Sequence, residues 1–213
     1  NNGSSTQVIE PVAGFQVAPN GRNSGQIPNE DSQDIEFDET NLFSRNRFTG
    51  LDRVEGGQRL YYGLRFGIFG ASGYSDGFIG QSYRPRRDNN FSSTSGLNDH
   101  FSDIVGRVSV QPSSPVKLQY RFRIDKDDLT ARRNELSANI GPPALALNLN
   151  YSFFDEGSGS GEFTDREEIT YGFSSQITPA WSINASTRRD LQASSTLNHN
   201  IELTYKCDCF TMK

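Results

Sequence analysis

The stretch Val116–Asp125, VKLQYRFRID, sets Val116, Leu118, Tyr120, Phe122 and Ile124 on one side of an extended chain and Lys117, Gln119, Arg121 and Arg123 on the other. A period of two with an uninterrupted apolar face identifies a strand that is half buried in something apolar. The same alternation recurs at Leu60, Tyr62, Leu64, Phe66 and Ile68, and at Leu145, Leu147, Leu149, Tyr151 and Phe153. It returns at Ile169, Tyr171, Phe173 and Ile177, at Trp181, Ile183 and Ala185, and at Leu197, Ile201, Leu203 and Tyr205. Weaker runs near residues 7–18, 73–83, 101–111 and 132–140 bring the expectation to about ten strands.

Many of these runs approach the roughly 9–11 residues that a tilted strand needs to cross hydrocarbon, where strands of soluble sandwiches average nearer 5–6. The connections between them alternate in length. Short turns fall at Gly70–Ser72, QPSSP after Val110, GPP after Ile140 and TPA before Trp181. Long links fall at Pro19–Val54, at Arg84–His100, at DKDDLT from Asp125, at DEGSGSGE from Asp155 and after Asp190. Transmembrane barrels have this asymmetry, with short periplasmic turns and long outer loops. The fold expected is therefore all-β, an antiparallel transmembrane β-barrel segment.

Composition agrees with that class. Only 33% of the 213 residues are hydrophobic and mean hydropathy is −0.65, yet 15 Phe and 8 Tyr bring aromatics to 11%. No apolar run reaches the roughly 18 residues of a membrane helix, whereas alternating strands average to a polar mean. A net charge of −5 and a pI near 5.1 lack the basic balance of a nucleic-acid binder. The first residues, NNGSSTQVIEPV, carry no basic segment followed by an apolar one, so no export signal is read there.

Candidate chemistry is sparse. The two histidines are His100 and His199, and Ser194 or Ser195 with His199 is the one hydrolase arrangement to weigh against a strand-end histidine. Glu30, Asp31, Asp34, Glu36, Asp38 and Glu39 crowd one loop, without the glycine and terminal glutamate of a hand-type calcium loop. They read as a solvated acidic loop, and no metal is expected. On the polar strand faces stand Arg59, Arg65, Arg107, Lys117, Arg121 and Arg123, which would point into a barrel lumen. There they either take an anionic passenger or pair with acids such as Asp103 or Glu135 and brace the wall. Cys207 and Cys209 share one side of a strand and would form a strained ring together, so partners elsewhere are favoured.

One loop is unusual: Ile27–Gly57 is long and polar but carries Phe37, Leu42, Phe43 and Phe48. With its continuation to Gly67 it resembles the barrel region of the LptD family of lipopolysaccharide-assembly proteins. The resemblance rests on IPNEDS and EFDETNLFSRNRFTGLDRVEGGQRLYYGLRFG, and more loosely on GQSYR at Gly80–Arg84, YRFRID at Tyr120–Asp125 and the cysteine-bearing end. Its marked positions are Asn29, Glu30, Asp31, Asp38, Asn41, Phe43, Arg47, Phe48, Asp52, Arg53 and Glu55.

The resemblance implies that residues 1–206 are the C-terminal part of a much larger outer-membrane barrel, with no enzymatic activity and no cofactor. Residues 19–54 are then an extracellular loop folded across or into the barrel mouth, and 207–213 a periplasmic tail. It implies lipopolysaccharide transport, a plug lipoprotein of the LptE type, periplasmic bridge components, outer-membrane lipid as surroundings and no nucleic acid. It further implies that Cys207 and Cys209 bond to distant cysteines and that the strand Leu197–Tyr205 borders a lateral opening. Two other classes stay open on the residues alone: a complete small barrel acting as porin or membrane hydrolase, and a soluble β-rich adhesion domain.

Overall fold

The computed structural model describes residues 5–19, 23, 28–32, 36–155, 166–207 and 209–213. Asp34, Asp208 and most of the DEGSGSGE link lie outside them. Ten long strands run in chain order: β1 (Thr6–Ala18), β2 (Gly57–Phe69), β3 (Tyr74–Tyr83), β4 (Ile104–Ser113) and β5 (Val116–Ile124). Then follow β6 (Ala131–Ile140), β7 (Ala146–Phe154), β8 (Arg166–Gln176), β9 (Trp181–Asp190) and β10 (Ser195–Lys206), with a two-residue β11 (Thr211–Met212). Each pairs antiparallel with its sequence neighbours in one eleven-stranded sheet. β1 and β11 are its edges, so the described sheet does not close, as a piece of a larger barrel would not.

The sheet is inside-out relative to a soluble protein. On β2, Leu60, Leu64, Phe66 and Ile68 are 39–52% exposed, while Arg59, next to Leu60 and on the opposite face, is 2% exposed. Pairing carries this phase across the sheet: Leu64 stands opposite Ile79, Val108 opposite Tyr120, Tyr120 opposite Leu136, Leu136 opposite Tyr151, and Tyr151 opposite Ile169. A continuous apolar face on one side and a polar face on the other is the pattern of a wall between hydrocarbon and water. The turns Thr178–Ala180 and Cys207–Phe210 gather Trp181, Tyr205 and Phe210 with ring centroids 4.9 and 5.6 Å apart, the ring type that settles at a membrane interface.

Strands are joined through 19–56, 84–103, 125–130, 155–165 and 191–194 at one end and through the short turns at the other. The length alternation expected from the sequence holds through 155–165 but fails after Asp190, where 191–194 is no longer than the turn 177–180, because the Asp190 carboxylate accepts the Ala193 N–H at 2.7 Å and closes a tight turn. Two boundaries differ from the periodicity. Ile177 and Leu145 fall in turns rather than strands, because alternation continues past the last residue that finds a ladder partner. The segment 207–213, expected to be a tail, carries a short strand pairing. Tyr205 and Lys206 pair with Met212 and Thr211, and the Cys207 N–H donates to the Phe210 carbonyl at 3.0 Å. Cys207 and Cys209 therefore lie within a hairpin turn at the short-turn end, and β10 has a neighbour there on its far side.

Candidate functional site

The hydrophobic core of this sheet lies on its polar face. Phe37, Leu42 and Phe48 from loop 19–56 meet Phe91 and Leu97 from loop 84–103, and all rest on Phe78 of β3 and Val105 of β4. Phe48 and Phe91 stack at 4.4 Å, and Phe43 sits edge-on to Tyr61 at 5.2 Å. Phe78 and Val105 are inward exceptions to the polar face, and they form the floor on which the loops settle. The two loops thus fold into one inner plug, whose apolar side chains leave water without leaving the protein.

Short local motifs shape the plug before it docks. Asp38 accepts the N–H groups of Thr40 (2.8 Å) and Asn41 (3.3 Å), and the Asn41 side chain answers by accepting the Asp38 N–H (3.1 Å) and donating to the Glu36 carbonyl (2.8 Å). Such turns are what Asp and Asn provide best. Farther out, Asp31 and Asp52 cap each other's backbone: Asp31 accepts from Leu51 and Asp52 at 3.1 Å, and Asp52 accepts from Glu30 at 2.8 Å and Asp31 at 3.1 Å. Those N–H groups of Asp52 and Leu51 hold the Asp31 carboxyl below its usual range. Gly50, at φ +77, closes this clasp, where an added Cβ would lie 2.4 Å from the Asp31 carboxyl carbon. Asn29 joins Ser32 in two hydrogen bonds, and the Arg53 N–H donates to the Ser32 hydroxyl at 3.0 Å.

At the root of the plug, Glu55 is the common partner of three arginines. Arg47 donates to its two oxygens at 2.9 and 2.5 Å, Arg59 of β2 approaches within 2.5 Å, and Arg84 at the end of β3 bonds to it as well. All four side chains are 6% exposed or less. The surplus positive charge is met by Asp88 on Arg84 (2.9 Å), by the Gln16 side chain and the Arg45 carbonyl on Arg59 (2.8 Å each), and by aromatic faces. Arg47 lies over Phe37 and Phe91 at 5.5 and 5.7 Å, and Arg84 over Phe91 at 5.3 Å. Burial works against ionisation of Glu55, but Arg47, Arg59 and Arg84 outweigh it and leave its carboxyl below the usual range.

A second set of ion pairs joins the plug to β5 and β6. Arg121 donates to Asp38 at 2.8 Å and to Glu39 at 2.9 Å. Arg123, fully buried, pairs with Glu36 at 3.1 Å and Asp103 at 3.5 Å and donates to the Ser95 carbonyl at 3.2 Å. Arg133 reaches Asp38 at 3.4 Å and Glu135 at 2.8 Å. Among the described residues, the crowded carboxylates are not the solvated loop expected from the sequence. Glu36, Asp38 and Glu39 are counter-ions of wall arginines more than 80 residues away. Burial pushes Asp103 up to about 6 against the pull of Arg123, and pushes Glu36 up as well.

The remaining candidates stand outside the plug. Arg107 pairs with Asp76 on β3 at 2.9 Å, Arg65 with Glu10 on β1 at 3.7 Å where both are more than half exposed, and Lys117 is exposed near the turn end. Ser195 and His199 are four residues apart on β10, about 13 Å at ~3.3 Å per residue, and His199 instead meets the Thr187 hydroxyl at 3.0 Å. Arg84, Phe91, Leu97 and Arg133 complete the site without having been singled out by periodicity. Their signal was complementary charge and isolated apolar residues within a polar link.

Replacing Glu55 with Gln leaves three buried guanidinium groups without their shared anion, and is expected to cost about 3–5 kcal/mol. The urea midpoint of the full-length protein in detergent should fall accordingly, and an unchanged midpoint would remove Glu55 from this role. Because the Glu55 carboxyl is depressed, its contribution is present above the ordinary value of 4.5 and is lost on acidification below it. Asp103 has the opposite sign, its contribution being lost as pH rises through about 6.

Comparison with known proteins extends this description. Residues 1–181 match the family model described as LptD, LPS transport system D. A curated relative, the LPS-assembly protein LptD of Thiobacillus denitrificans (strain ATCC 25259 / T1), is 26% identical over 156 residues, covering 70% of this chain. The chain spans about a fifth, 21%, of that relative's length. With a wall whose apolar face is outward, a plug built from the Ile27–Gly57 stretch and a family match over most of its length, the chain belongs to the LptD family.

Proposed function

We propose that this chain forms part of the wall and inner plug of an outer-membrane barrel that carries lipopolysaccharide to the outer leaflet. The observation that carries this reading is the inside-out sheet, polar and internally plugged, in a chain of the LptD family. On this reading the plug end faces outward, loops 19–56 and 84–103 close the mouth over β2–β6, and the short turns face the periplasm. The polar face from β6 to β9, with Asn148, Asn150, Arg166, Glu168 and Arg188, is left for the passenger and for a plug lipoprotein of the LptE type. The driving force comes from periplasmic bridge components, since a wall of this kind holds no nucleotide loop.

The cysteines serve assembly. Both are free thiols here, Cys209 exposed and Cys207 half-buried in the hairpin turn, and on the periplasmic side they would meet an oxidising compartment. We assign them to disulfides with cysteines elsewhere in the longer protein.

Two measurements test the reading. Depletion of the full-length protein should halt the arrival of newly made lipopolysaccharide at the cell surface, measured by impermeant labelling, and normal arrival would overturn the transport role. Non-reducing electrophoresis of the mature protein should show a mobility shift that disappears when Cys207 and Cys209 are both replaced by Ser. Free thiols in mature protein would remove the assembly role.

A further inference from the structure

The ion pairs between plug and wall are arranged as an anion receptor that the plug's own carboxylates occupy. In the β5–β6 ladder Arg121 stands opposite Glu135, and Arg123 directly opposite Arg133. Like charges facing each other across strands destabilise a sheet unless an anion lies between them. Here the anions come from the plug: Asp38 Oδ2 bridges Arg121 and Arg133 at 2.8 and 3.4 Å, and Glu36 meets Arg123 at 3.1 Å. Glu135 Oε2 bridges the same two arginines from the wall, at 3.3 and 2.8 Å.

The fit is incomplete. Glu39 Oε2 is buried with no donor and Arg133 Nε is buried with no acceptor, so carboxylates leave part of this guanidinium set unused. A phosphate presents more acceptor oxygens than a carboxylate and bridges guanidinium forks more fully. Access exists as well. Arg121 is 25% exposed and borders a groove of about 380 Å³ on the uncovered polar face, lined also by Glu135, Asn150, Arg166, Glu168 and Arg188. The plug does not depend on these pairs alone, because its core and the Glu55 cluster hold it to β2–β4.

We propose that Arg121 and Arg133, with Arg123 behind them, form a phosphate-binding site at which a phosphate-bearing ligand exchanges with Asp38 and Glu39, opening the seam between plug and wall while the root stays closed. This rests on the transport reading for its biological occasion, but not for its chemistry.

The test is arginine modification by a dicarbonyl reagent on the full-length protein in detergent, read peptide by peptide by mass spectrometry. In the wild type, Arg121 and Arg133 should react slowly. In the Asp38→Asn, Glu39→Gln double variant they should react several-fold faster, and inorganic pyrophosphate should restore protection where chloride at equal ionic strength does not. Arg59, at the root, should stay protected throughout. Unprotected arginines in the presence of pyrophosphate would show that the site takes no phosphate. Unaltered rates in the variant would show that the plug, not the seam, sets access. A rise at Arg59 would show that seam and root open together, which also overturns the proposal. None of these readouts involves lipopolysaccharide, so loss of the transport reading and loss of this site are separate results.

Discussion

Everything inside this wall depends on burying charge that has no water to return to. Glu55 makes that possible at one point, because a single carboxylate with three guanidinium groups, two aromatic faces and a second acid gives every charge a partner. Without it, Arg59 on the wall and Arg47 and Arg84 in the loops would repel one another across the place where the plug must dock. The hub therefore couples loop folding to the wall: β2 supplies Arg59, the end of β3 supplies Arg84, and the first loop supplies both Arg47 and the anion. A buried ion cluster of this kind contributes less to net stability than to the choice of one arrangement. That is what a loop of this length needs, since hydrophobic contact alone would accept several.

The division of the sheet follows from the same economy of polar groups. Towards the long-link end of β2 to β6 the polar face is covered by a plug with its own apolar core, and the wall meets it with Phe78, Val105 and arginines with fixed partners. From β6 to β9 it carries amides, hydroxyls and the paired Arg166, Glu168 and Arg188, and it borders an open groove. One part is packed against an apolar core and fixed ion pairs, and the other presents an uncovered polar surface.

Strand existence, pairing and facing could be read from period-two alternation, because both faces of this wall impose a constraint. Val116–Ile124 is the clearest case. The plug was half legible. Phe37, Leu42, Phe43 and Phe48 stand out in a polar loop, and their burial follows from the mismatch. Phe91 and Leu97 do not stand out, because the link that holds them has no period and takes its shape only against the first loop. Pairings such as Arg121 with Asp38 were legible as complementary charges but not as partners, since 83 residues separate them and no local rule fixes that register. The turn at Cys207–Phe210 was missed because two strand residues beyond it are too few to show alternation.

The central claim is that the apolar face of the sheet meets lipid and the polar face meets the plug. Single spin labels placed in turn at 116 to 124 along β5 of the full-length protein in lipid vesicles test it most directly, by collision with oxygen and with a polar nickel complex. Labels at 118, 120 and 122 should be open to oxygen and closed to nickel, while those at 119, 121 and 123 should be shielded from lipid, with a period of two throughout. The opposite phase, or no period at all, would contradict the account.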